Sequence, residues 1–152
     1  MKIHHPALFF LLTFTCLAEP GDPIVLLQPD QTIGERLKGD ATDLAHFITS
    51  SMEVFENVVP IADTRRQACF VVAFGPAYYS KGWILGDHIT ERQKEEFNTK
   101  LRELKPPELK AGVVAFEVIG KNSEAAKNVS ENGIAPPTPP EWREAVQKEG
   151  GT

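Results

Sequence analysis

The sequence predicts an α+β domain: a small two-layer sandwich with a three-stranded sheet, helices on one face, the order α-β-β-α-β and a flexible C-terminal tail. Three observations carry this. In "DATDLAHFITSSMEVFENV" apolar residues recur every three or four positions, which places them along one face of a helix. The runs "ACFVVAF" and "GVVAFEVI" are apolar at both alternating sets, as in strands covered on both faces or central in their sheet. A thin-faced second helix separates them, and one-sided elements of this kind bury their apolar faces against each other in two layers.

Taken in order, the chain opens on "MKIHHPALFFLLTFTCLAEPGDP", a lysine followed by an apolar run from Ala7 to Ala18. The run is too short to span a bilayer. A basic start, an apolar centre and small residues at its end fit a secretory signal peptide over 1–18, cut near Ala18. Lipid attachment at Cys16 is disfavoured by the bulky Phe14 and by Thr15 before it. Export would leave 134 of the 152 residues, one domain's worth, and would remove one lysine and no acid, taking the net charge from −5 to −6. That acidic balance argues against nucleic acid and anionic lipid as partners. One cysteine, Cys69, would remain; a lone cysteine forms no internal disulfide, and its apolar neighbours read it as a buried small hydrophobe.

Residues 19–40 read as an extended N-terminal segment, with "PIVLL" as an edge strand or arm and "TIGERLKG" as one short helical turn at most. Thr32 and Glu35 are spaced there as a capping box, with Gly39 as a stop. The α+β domain spans 41–120. Its first helix presents Leu44, Phe47, Ile48, Met52, Phe55 and Val59 on one face, is capped by Asp40 or Thr42, and ends at Pro60. Ala68–Phe74 is the first strand, stopped by Gly75 and Pro76, and Trp83–Leu85 is a shorter second strand. Glu91–Leu104 is the second helix, with Thr90 and Gln93 as its capping box and Phe97, Leu101 and Leu104 as its apolar face. Gly112–Ile119 is the third strand. Residues 121–152 are a polar, proline-rich tail with a short helix "EWREAVQKE", whose Trp142 and Val146 would dock it on the domain.

Catalytic chemistry finds no support. His46 lies near Asp43 and His88 lies between Asp87 and Glu91, but no further ligand completes a metal site, and carboxylates at a helix start serve the dipole. Ser50 and Ser51 sit mid-helix without the strained turn of a nucleophile elbow. "GPAYYSKG" lacks the spacing of a phosphate loop. The acceptor pattern Asn128-Val129-Ser130 matters only in a eukaryotic secretory route. No cofactor or metal is expected.

The stretch "FGPAYYSKGW" holds both tyrosines and one of the two tryptophans. As plain structure, Trp83 packs on the sheet and one tyrosine closes the core. As a recognition tip, Tyr78, Tyr79, Lys81 and Trp83 are the candidate partner-binding residues: tyrosine and tryptophan give large contact area at low entropic cost. Neighbours on an extended stretch point to opposite sides, which leaves one tyrosine for a partner.

The strand "FVVAF", Gly82 before "WIL", a helix closing on "LRELKPPELKAG" and the last strand "VVAFEVIG" together resemble, in element order, the C-terminal domain of TonB-type energy-transducing envelope proteins. The resemblance covers Ala41–Ile119 and implies an α+β domain that binds other envelope proteins, partly through sheet-edge pairing. The family's Tyr-Pro entry and Arg-Trp helix ending are absent, and none of its binding residues is carried over. The expectation is an exported (periplasmic or secreted), non-catalytic binding domain without a membrane span in its mature chain, whose partner is a protein. A protein inhibitor or immunity-type protein, or a small-ligand or lipid carrier, fits the same features.

Overall fold

The computed structural model describes residues 11–12, 24–76, 80–120 and 123. Along the chain run β1 (Leu11–Leu12), β2 (Ile24–Leu26), α1 (Asp30–Arg36), α2 (Ala41–Val58), α3 (Ala62–Arg66), β3 (Cys69–Phe74), β4 (Ser80–Leu85), α4 (Glu91–Leu101) and β5 (Val114–Ile119). The fold is α+β. Every strand pairing is antiparallel, in the order β1-β2-β5-β3-β4.

The expected three-stranded sheet is too small. "PIVLL" contributes β2, which pairs with β5 through Val25 opposite Glu117, and the two-residue β1 extends the edge beyond it. β1 lies inside the stretch read as a leader, so cleavage near Ala18 would remove that rung and leave β2 as the sheet edge. Beyond β2, the Gln28 amide continues the ladder: its Nε2 donates to Val113 O at 3.0 Å and its Oε1 accepts from Ala115 N at 2.9 Å.

Residues 19–40 are also more than an extended segment, because α1 runs for seven residues from Asp30. Thr32 lies inside this helix and caps nothing; the preceding residue is Pro29, and Gln31 instead bonds Glu35 one turn on. Two anchors hold the helix: Ile33 is buried in the core, and Leu37 forms a bridge to Leu109. Arg36 Nη1 donates to Val113 O at 2.5 Å and lies against Gly112, the left-handed turn (φ 71°) that leads into β5.

α2 carries its expected stripe into the core, with Asp40 as the N-cap accepting from Thr42 N at 2.8 Å. That bond holds the exposed Asp40 carboxyl below its ordinary range. α4 has the expected capping box of Thr90 and Gln93, and ends at Leu101 rather than Leu104. α3 had no apolar pattern to reveal it, since none of its residues is buried; Arg65 secures it by donating to the carbonyls of Val59 and Pro60 at 2.8 Å.

The main core lies between the helices and one sheet face. A run of aromatic rings crosses it: Phe47 meets Phe74 edge-on at 5.1 Å, Phe55 meets Phe70 at 4.8 Å, and Phe70 meets Phe97 at 5.3 Å. Such pairs add about 1 kcal/mol each beyond the area they bury. The opposite face holds a separate apolar cluster of Val25, Cys69 and Ile119, flanked by Leu27 and Leu85. β3 and β5 are buried at every position, which is why their sequences do not alternate.

Candidate functional site

Of the four candidate contact residues, the structure places two. Lys81 is exposed on β4, and Trp83, two residues on and on the same face, is half-buried. The Lys81 ammonium stands 5.1 Å from the centre of the Trp83 ring, a cation–π pair. Tyr78 and Tyr79 lie outside the described residues. The strand expected over Trp83–Leu85 begins at Ser80, so Lys81 belongs to the same strand as Trp83. Gly82, expected just before that strand, lies within it as a packing residue: a Cβ there would fall onto the Phe97 ring and within 3.0 Å of Leu101.

Among the described strands β4 is an edge, but its outer side is not open along its length. Asn98 of α4 closes it at Gly82, whose N–H donates to Asn98 Oδ1 at 2.9 Å and whose carbonyl accepts from Asn98 Nδ2 at 2.7 Å. A partner strand would have to displace this amide, so side chains are the better means of contact here. Asn98→Ala is expected to cost about 1–2 kcal/mol and to promote edge-to-edge association. Urea denaturation and sedimentation velocity would measure the two effects, and a monomeric variant as stable as wild type would show that the amide does neither job.

Sequence reasoning missed Glu117. It sits on β5 between β2 and β3, with Val25 and Val71 opposite it, and is 0 % exposed. Neither carboxylate oxygen has a hydrogen-bond partner among the described residues. Burial pushes its pKa up to about 7, against a small opposing pull from the Cys69 thiol. Burial, followed by the nearby Glu117 charge, drives the Cys69 thiol well above its ordinary range. Cys69 is thus protonated and unreactive, as expected of a buried small hydrophobe. The signal for Glu117 was present in "VVAFEVIG": one ionisable group in a strand otherwise built for burial on both faces.

His46 and His88 are both exposed, and no group of three His, Cys, Asp or Glu able to hold a metal occurs among the described residues. Ser51 faces the core and donates to Phe47 O at 2.7 Å, a helix back-bond rather than a nucleophile. No described helix is long and apolar enough to cross a membrane. Asn128, Trp142 and Val146 lie outside the described residues.

A pocket of about 460 Å³ opens between α1, the start of α2 and β2. Its walls are chiefly aliphatic (Leu26, Ile33, Leu37, Leu44 and Ile48), and Asp30 and Asp40 also line it. No sequence pattern announced it, because its walls come from three separated segments.

The chain matches no protein-family model, no curated protein and no solved structure.

Proposed function

We propose that this chain is an exported, non-catalytic binding domain that meets another protein through the outer margin of β4. The observation that carries the reading is the Lys81–Trp83 pair: an exposed ammonium over a half-buried indole, on an edge strand, beside the tyrosines Tyr78 and Tyr79 in sequence. Tryptophan and tyrosine are the side chains that most often anchor protein interfaces, and a rim lysine sets which partner charge is welcome. The partner would present an acidic or carbonyl-rich edge to Lys81 and an apolar shelf to Trp83. The strand–strand–helix–strand order of 69–119 is the one the TonB-like resemblance implies, although fold likeness by itself carries no function.

The test is a quantitative pull-down from the exported fraction with wild type, Lys81→Glu and the pair Tyr78→Ala/Tyr79→Ala. Lys81 is exposed, so reversing its charge leaves the fold intact, which circular dichroism would verify. A protein held by wild type and weakened about tenfold or more by Lys81→Glu is the expected result. Equal capture by wild type and both variants would remove the β4 margin as the contact.

A further inference from the structure

The pocket between α1, the start of α2 and β2 is independent of the β4 margin, and its chemistry points to a different kind of ligand. Its volume of about 460 Å³ falls within the roughly 300–1,000 Å³ of small-molecule sites. Small residues keep it open. Gly34 on the α1 wall has nothing within 4 Å of where a Cβ would stand, and Ala41 and Ala45 line the α2 wall. Among the described residues the lining is aliphatic, with no aromatic ring for stacking and no hydroxyl or amide side chain to orient a polar body.

The described ionisable side chains that line it have one sign. Among the described residues, Asp30 and Asp40 are the ionisable residues of the lining, with no lysine or arginine beside them. The nearest cations in sequence are engaged elsewhere: Lys38 Nζ holds Glu108 at 2.6 Å, and Arg36 bonds Val113 O. The Asp40 carboxylate is kept ionised by the Thr42 N–H. A fatty carboxylate would bring a like charge to these aspartates as its tail entered, whereas an ammonium would be attracted.

We propose that this pocket binds an aliphatic chain ending in a cationic amine, the tail lying against Ile33, Leu37, Leu44 and Ile48 and the ammonium held by Asp30 and Asp40. Decylamine, decanol and decanoate share one tail and differ in head charge, which makes them suitable probes.

Titration of the full chain with each probe, followed by backbone amide NMR, reads the site directly. Decylamine is expected to shift the amides of residues 33–45 saturably and to bind about tenfold or more tighter than decanoate, with decanol between them. Asp30→Asn should narrow that difference while leaving decanol binding unchanged. Gly34→Leu places a side chain in open space, improves helix propensity, and should block all three probes in a folded protein. Decanoate binding as tightly as decylamine would overturn the cationic head, and identical decylamine shifts in Gly34→Leu would overturn the pocket. An absence of saturable binding by any probe would overturn both.

Discussion

Replacing Glu117 by glutamine is expected to flatten the pH dependence of stability between about pH 4.5 and 7, and to leave the protein about 3 kcal/mol more stable at pH 8. The carboxyl ionises near its ordinary 4.5 in the unfolded chain and holds its proton up to about 7 in the fold. Across that interval the folded state binds more protons than the unfolded state, so stability falls as pH rises. It is highest below 4.5 and levels off above 7. Among the described residues, the strands beside Glu117 face it with Val25 from β2 and Val71 and Cys69 from β3, and no described cation pairs with it. Among the described residues only the Cys69 thiol could share its titration, and that thiol stays protonated throughout the interval. Glutamine keeps the size and removes the ionisation, so the two proteins should agree within about 1 kcal/mol at pH 4.5 and diverge above it. Urea denaturation at pH 4.5, 6, 7 and 8 measures this. Parallel curves for the two proteins would mean that water or a counter-charge lets the carboxyl ionise in the fold as it does in the unfolded chain.

Phe97→Ala is expected to cost about 4 kcal/mol, the typical loss for a fully buried phenylalanine. Its ring is 0 % exposed, lies 5.3 Å from Phe70 and 6.1 Å from Phe55, and covers Gly82. The fit is reciprocal, so Gly82→Ala should cost about 2–3 kcal/mol by driving a methyl group into that ring. Phe97→Leu trims the ring and leaves room for the methyl, so the double variant Gly82→Ala/Phe97→Leu should lose less than the two single losses added together. Chemical denaturation of the four proteins gives the coupling directly. Strict additivity would show that α4 shifts away from β4 and does not press on it.

The elements legible in the sequence were those whose own residues bury a face. α2 announced itself through Leu44, Phe47, Ile48, Met52 and Phe55, and α4 through the Thr90–Gln93 box, because periodicity and capping are local. β3 and β5 were legible as unbroken apolar runs. α3 was not, since it buries nothing, and α1 was underestimated because it depends on Ile33 in the core and on the bridge from Leu37 to Leu109. β4 was read too short because Ser80, Lys81 and Gly82 carry no apolar signal, and Gly82 packs only once Phe97 is placed above it.

By itself, then, the sequence determined the α+β class, the doubly buried strands β3 and β5 and the inert character of Cys69, all of which follow from short windows of side-chain chemistry. Only the tertiary structure decided the rest. It placed Glu117 without a described partner at the centre of the sheet, closed the β4 edge with Asn98, and assembled the aliphatic pocket from α1, α2 and β2. Each of these depends on residues far apart in the chain, and the desolvation, edge pairing and shape they create exist only once packing has brought those residues together.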